Sequence, residues 1–316
     1  MTKIQAGRIS FLLCAVFLTT AAAGAQTDTA LQEKLGALAA THHGKVALFA
    51  EDLTTGKTVA LNADTPVQTA SVIKLTVLYD ALEQIRQGRV HFEDKITLTH
   101  GDQVQGSGVL MFFDTPLQLT FKDVLTMMII MSDNTATNLA IDHLGLKNID
   151  DQIVALGLKN TWLYKKVFTP PTGPMPADQK IFGLGKTTPR EMGSVMTRFV
   201  NCDLNPPGAT KPPTAEDHAL CDAAMHMLKN QFYRNSIPRY LDPQDTTDGP
   251  SAVANKTGAL DATRNDVGVV FTKHGPILTS EFTYQNQDTS WTPDNEGEVL
   301  MAKMAKDIVD AWTEGK

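Results

Sequence analysis

Cysteine is scarce in this chain. Three cysteines in 316 residues are too few for a disulfide-built miniprotein or for a zinc site made of four thiolates. Positive charge is in deficit too, with 28 basic residues against 35 acidic ones and a formal net charge of -7. That balance argues against a nucleic-acid partner. Beyond the first 25 residues no stretch reaches the roughly 18 uninterrupted apolar residues that a membrane span needs. The histidines lack zinc-ligand spacing, and there is no Gly-x-Ser-x-Gly elbow of a Ser-His-Asp hydrolase. No metal or cofactor is therefore expected. What remains is ordinary globular usage, 42% hydrophobic and 20% charged, which excludes disorder, collagen and coiled coil.

Residues 1–25 look like an address. Lys3 and Arg8 form a positive start, Ile9 to Ala23 is apolar, and Ala23-Gly24-Ala25 is a small-x-small cleavage site. The run is too short for a transmembrane anchor. Cys14 lies inside it and leaves with it. The expected mature protein, 26–316, is an exported, periplasmic bacterial monomer with no membrane attachment. Its two cysteines, Cys202 and Cys221, flank a proline-rich stretch. In an oxidising compartment the pair is expected to form a disulfide.

Hydrophobic periodicity predicts helices over 32–40, 71–87, 121–131, 136–143, 149–156, 189–200, 215–230 and 296–312. The helix 121–131 is apolar on nearly every side and is expected to be buried. Strands are predicted over 46–50, 58–61, 253–257, 266–272 and 277–284, the first two joined by the turn Thr54-Thr55-Gly56. Thr169 to Lys186 holds four prolines and three glycines and reads as a long loop of the functional kind. Strands at both ends of the chain form one sheet only if the ends meet. The fold class is α+β, with an α/β lobe of 26–67 and 214–316, a helical lobe of 68–213, and a site in the cleft between them.

Three short motifs could do chemistry. Ser71 and Lys74, three apart on an apolar helix, put a hydroxyl and an amine on one face. Burial would lower the lysine pKa and make it a base for the serine. Ser132-Asp133-Asn134 joins two helices and reads either as an N-cap or as a proton-relaying hydroxyl with an amide that grips substrate. Lys256-Thr257-Gly258 ends a strand. It reads either as a turn or as a cation and hydroxyl facing a substrate carboxylate, with the glycine letting substrate backbone come close. Arg264 could add a second positive charge.

Each motif alone is weak, but their order and their separations of 61 and 124 residues resemble the class A β-lactamases and penicillin-binding proteins. The resemblance runs from about Leu31 to the last helix and includes Thr187-Thr188-Pro189 and Arg264-Asn265-Asp266. It implies an antiparallel five-stranded sheet flanked by helices plus a helical lobe. It also implies a serine hydrolase acting on β-lactams or acyl-D-Ala-D-Ala-like molecules. Ser71 resembles the acylated nucleophile, Lys74 its proton partner and Ser132 the donor to the leaving nitrogen. Asn134 would bind the acyl amide, and Lys256, Thr257 and Arg264 the carboxylate. The N–H groups of Ser71 and Ala259 would form the oxyanion hole. Two alternatives accompany this reading, a D,D-peptidase-like enzyme of cell-wall peptides and a non-catalytic sensor on the same fold. The sequence departs from the family at one place. Class A enzymes carry a deacylating glutamate in the loop after Ser-Asp-Asn, whereas no glutamate occurs here between Glu93 and Glu191. The loop offers only Asp178, so slow deacylation is expected.

Overall fold

The computed structural model describes residues 26–241 and 252–313; the predicted leader, 1–25, lies outside the described residues. Six strands form the main sheet in the order β1-β3-β2-β11-β10-β9: β1 (Gln26–Thr27), β2 (Lys45–Asp52), β3 (Lys57–Leu61), β9 (Val253–Leu260), β10 (Thr263–Thr272) and β11 (Gly275–Tyr284). Five of them are the expected antiparallel set. The sixth, β1, adds two residues in parallel to the edge at Lys57 and Thr58, too short to leave a pattern in the sequence. Chain ends meet where β2 pairs with β11, Phe49 opposite Ser280. The β2–β3 turn forms as read: Asp52 Oδ1 accepts from the Thr54 and Thr55 N–H groups, and Gly56 takes the left-handed φ of +73°.

Both faces of this sheet are covered. Val46, Leu48 and Ala50 face α1 (Thr29–Ala39) and α9 (Glu296–Thr313), packing with Leu35, Met304 and Ile308. Ala47 and Phe49 face the larger core on the opposite side. There α7 (Pro189–Val200), inside the stretch 68–213, lies directly on the strands. A Cβ on its Gly193 would sit 3.1 Å from Leu278 and 3.5 Å from Phe49.

Between β3 and β9 come α2 (Lys74–Arg86), α3 (Phe121–Ile130), α4 (Asn134–Leu144), α5 (Leu146–Ala155), the short α6 (Gln179–Phe182), α7 and α8 (Ala215–Lys229). Two small sheets accompany them: β4 (Val67–Gln68), β8 (Gly185–Thr187) and β7 (Trp162–Leu163) in one, β5 (Lys95–Leu98) and β6 (Leu117–Thr120) in the other. The stretch 169–186 is thus less irregular than its composition suggests, since it holds α6 and runs into a strand. The central helix is α2, not α3. Every residue from Lys74 to Gln84 is buried, whereas α3 buries one stripe, among it Phe121, Leu125 and Met128. Polar residues hide this in the sequence because they pair internally. Gln84 donates to Asp80 at 2.7 Å and Arg86 to Glu83 at 2.7 Å, which offsets their desolvation. Burial raises the Asp80 carboxyl to about 6.

Cys202 and Cys221 are joined as a disulfide, Cα atoms 5.5 Å apart, tying the end of α7 to α8. The bond closes a loop 19 residues along the chain. In the chain-entropy account that contributes about 3 kcal/mol. Cys202→Ser with Cys221→Ser should lower the unfolding free energy by about 3 kcal/mol, read as a lower denaturant midpoint with a steeper slope from the more expanded unfolded chain; an unchanged midpoint would show that the bond adds nothing.

Candidate active site

The polypeptide enters the site through a strained turn. Thr69 donates its N–H to Gly185 O at 3.0 Å, and Asn265 Nδ2 donates to the carbonyls of Gln68 and Thr69 at 2.9 and 3.0 Å. Ala70 then takes a φ of +43°, a conformation that costs a non-glycine residue energy and that surrounding contacts must hold. Residues Ala70–Ile73 form a 3₁₀ turn before α2 begins at Lys74. The periodicity predicts one α-helix from Ser71; the first turn is instead the tighter 3₁₀ form. The tighter turn matters because at three residues per turn positions i and i+3 eclipse, so Ser71 and Lys74 are stacked along one line.

Ser132 lies in the turn between α3 and α4, again with positive φ (+51°). The helix cap is its neighbour Asp133, which accepts from Ala136 N at 2.9 Å, and from Val109 N and Leu110 N at 2.7 and 2.9 Å. Capping is therefore done by Asp133, and Ser132 is free for the site. Its hydroxyl sits between two lysines. Lys74 Nζ lies 3.2 Å from Ser132 Oγ, 2.7 Å from Ser132 O and 3.1 Å from Asn134 Oδ1. Lys256 Nζ lies 3.0 Å from the same Oγ and donates to Thr257 O at 2.7 Å.

Both lysines are fully buried, and two ammonium groups sharing one hydroxyl are not compatible in a dry site. Burial, and next the Lys256 charge, push the Lys74 amine well below the usual lysine range. Burial brings Lys256 down to about 7, opposed by the Asp266 carboxylate. Burial and the neighbouring Lys256 charge thus both disfavour an ammonium at Lys74, whose Nζ donates to Ser132 O, Ser132 Oγ and Asn134 Oδ1. Among the described residues no hydrogen bond joins Lys74 to Ser71 Oγ.

The Lys-Thr-Gly segment lies on the edge strand β9. Gly258 is required by the protein's own backbone: a Cβ there would stand 2.8 Å from Ser71 N, 2.9 Å from Thr69 O and 2.9 Å from Val72 N. The sequence reading gave that space to substrate; the structure gives it to the turn that carries Ser71. Ser71, Ser132, Thr257, Gly258, Ala259 and Arg264 all line one cavity of about 450 Å³, a normal size for a small-molecule site.

Two expected substrate contacts are already engaged. Asn134 accepts from Lys74 and donates Nδ2 to Gln105 O at 3.1 Å. Arg264 donates to the carbonyls of Leu260, Thr263 and Ser290 and pairs with Glu298 at 3.4 Å. It lines the cavity as a wall whose donors hold the polypeptide. Asp178, the acid of the long loop, lies outside the cavity lining. Lys186 at 2.6 Å and the Tyr164 hydroxyl at 2.9 Å hold it and keep its carboxyl below the usual range. Asn265, which fixes the entry to the Ser71 turn, escaped the sequence reading. Only its place between Arg264 and Asp266 marked it.

The family model described as the beta-lactamase enzyme family matches residues 30–312. The chain belongs to that family. Among beta-lactamase relatives, a Streptomyces fradiae beta-lactamase is 26% identical and aligns with 90% of this chain and 87% of its own. The "beta-lactamase regulatory protein BlaB" of Streptomyces cacaoi is 24% identical, over 87% of this chain and 96% of its own. In three dimensions the beta-lactamase of Sphaerobacter thermophilus superposes with a TM-score of 0.73 at 26% identity, covering 90% of this chain and 97% of that one.

Proposed function

We propose that this beta-lactamase family member is an exported, periplasmic serine enzyme that is acylated by β-lactams and releases the product slowly. The arrangement that carries the reading is one cavity holding Ser71 beside Ser132 and the Thr257–Ala259 edge, with a desolvated lysine one turn from Ser71. Ser71 Oγ attacks the lactam carbonyl carbon while its proton passes to the Lys74 amine, whose charged form burial disfavours. The C–N bond breaks, and Lys74 returns that proton through the Ser132 hydroxyl to the ring nitrogen. The developing oxyanion is met by the N–H groups of Ser71 and Ala259. Water then hydrolyses the ester and restores the serine. Lys256 and Thr257 face the substrate carboxylate. Arg264 positions the loop around them. Asn134 holds Lys74 through Oδ1 and Gln105 O through one N–H of Nδ2, which leaves its second N–H for an acyl carbonyl.

Fluorescent penicillin should label the protein one to one; no label under conditions that label a penicillin-binding control would end this reading. A β-lactam sensor is a second reading, favoured by the regulatory relative and by the diverted Asp178. It predicts label with no measurable turnover.

A pH effect follows from Lys256, whose pKa is brought down to about 7. The ammonium is present below that pH and lost above it. The second-order rate constant for acylation reports free-enzyme groups, so its dependence on Lys256 should make it fall as pH rises through about 7. Lys256→Arg, charged at all these pH values, should remove the fall. A profile that is flat from 6 to 9 in the parent protein would take Lys256 out of this role.

A further inference from the structure

The cavity lining differs on the two sides of Ser71. On one side Gly106 and Ser107 line it. Asn134 is almost fully buried with both ends of its carboxamide engaged. Over it lie Gly106 and the Phe168 ring: a Cβ on Gly106 would stand 2.7 Å from Asn134 Nδ2 and 3.0 Å from that ring. The Phe168 ring thus packs straight onto the Gly106 backbone. On the other side the cavity continues past Thr257 to Arg264, Trp291, Pro293, Glu298 and Met301. Trp291 is 66% exposed there, and the Arg264 guanidinium carbon sits 4.7 Å from its ring centroid. A flat, open indole is thereby held in place within the wall of the cavity.

Chemistry says which half of a substrate lies where. In a β-lactam the carboxylate is attached, one carbon away, to the ring nitrogen that departs from the acyl carbon. On the acyl-serine reading Lys256 and Thr257 meet the carboxylate and so mark the leaving-group end, and the lining that runs to Trp291 lies beyond Thr257. We propose that this cavity selects its substrates by the leaving-group half, taking a flat aromatic substituent on that half against Trp291. The selection rests on the acyl-serine reading above and adds the substrate class to it: β-lactams with a large conjugated group beside the carboxylate and a modest acyl side chain. In a bicyclic β-lactam, ring opening forms the Ser71 Oγ–C bond, breaks C–N and protonates the nitrogen. The leaving half stays tethered, so the stacked group remains in the cavity of the acyl-enzyme.

The test uses the mature full-length chain and two cephems with the same acyl group. One is nitrocefin, with its dinitrostyryl group on the leaving half; the other carries a methyl there. The quantity read is the ratio of their acylation rate constants, by stopped flow and intact mass. The ratio should favour nitrocefin, drop about tenfold in Trp291→Ala and largely recover in Trp291→Phe, in line with the strength of one aromatic contact. Equilibrium binding of both cephems to Ser71→Ala should show the same preference. A ratio unmoved by Trp291→Ala overturns the inference while leaving the acyl-serine reading intact. A binding preference lost in a Ser71→Ala, Trp291→Ala double variant, without acylation of the parent protein, would support the subsite and defeat the acyl-serine reading.

Discussion

Ser71→Ala should leave the protein without a penicillin adduct. Incubated with a penicillin, the parent protein should gain the mass of one molecule; the variant should gain none. The expected loss in acylation rate is on the order of 10⁶-fold, the size seen when a serine enzyme loses its nucleophile. The substitution removes one oxygen from a half-buried side chain, and the turn around it is held by backbone and Asn265 contacts that do not involve that oxygen. Folding should therefore survive, and near-unchanged thermal melting is the control. An adduct that persists in the variant at the parent rate would place the nucleophile elsewhere.

Nitrocefin should give a burst of about one equivalent followed by a slow steady state. Hydrolysis of an acyl-serine needs a base for the attacking water, and such help is worth typically 10²–10⁴-fold. The acids around the site are occupied. Asp178 is bound by Lys186 and Tyr164 away from the cavity. Asp133 accepts three backbone N–H bonds. Glu191 holds Asn160 and Thr161. Glu298 lines the cavity but is paired with Arg264 at 3.4 Å. Lys74 hands the serine proton on through Ser132 and stays held by Ser132 and Asn134, so deacylation has no free carboxylate as its base. Deacylation should accordingly trail acylation by at least about 10²-fold, and the acyl-enzyme should accumulate. Linear turnover without a burst would mean that deacylation is not limiting and that a base acts from a place unoccupied by these four acids.

What the sequence revealed and what it hid follow from the reach of each interaction. Ser71, Lys74, Ser132 and Lys256 were readable because each sits in a short motif whose order along the chain is itself informative. Helices α7 and α9 were readable nearly to the residue, the first from Thr188 before Pro189, the second from its long apolar stripe. The rest depended on partners far away in sequence. That Gly258 makes room for the Ser71 turn, that Asn265 ties down Gln68 and Thr69, and that Asn134 holds Lys74 are all contacts across 60 to 200 residues. No local pattern carries them. The burial of α2 was hidden for a related reason: its polar side chains satisfy one another inside, and periodicity counts them as solvent-facing.

The close approach of Gly258 to the Ser71 backbone also orders events in time. The serine's turn is braced by β9 and β10, which are made late, while Ser71 itself is made early. A nascent or half-folded chain holds the hydroxyl but lacks the wall that shapes its surroundings. Pairing β2 with β11 must first close a loop of more than two hundred residues, the kind of long-range step that slows folding. Reactivity toward β-lactams should therefore appear only with the final docking of the C-terminal strands. Covalent labelling during refolding would then act as a clock for completion of the whole molecule, lagging behind the early far-UV signal of the helices.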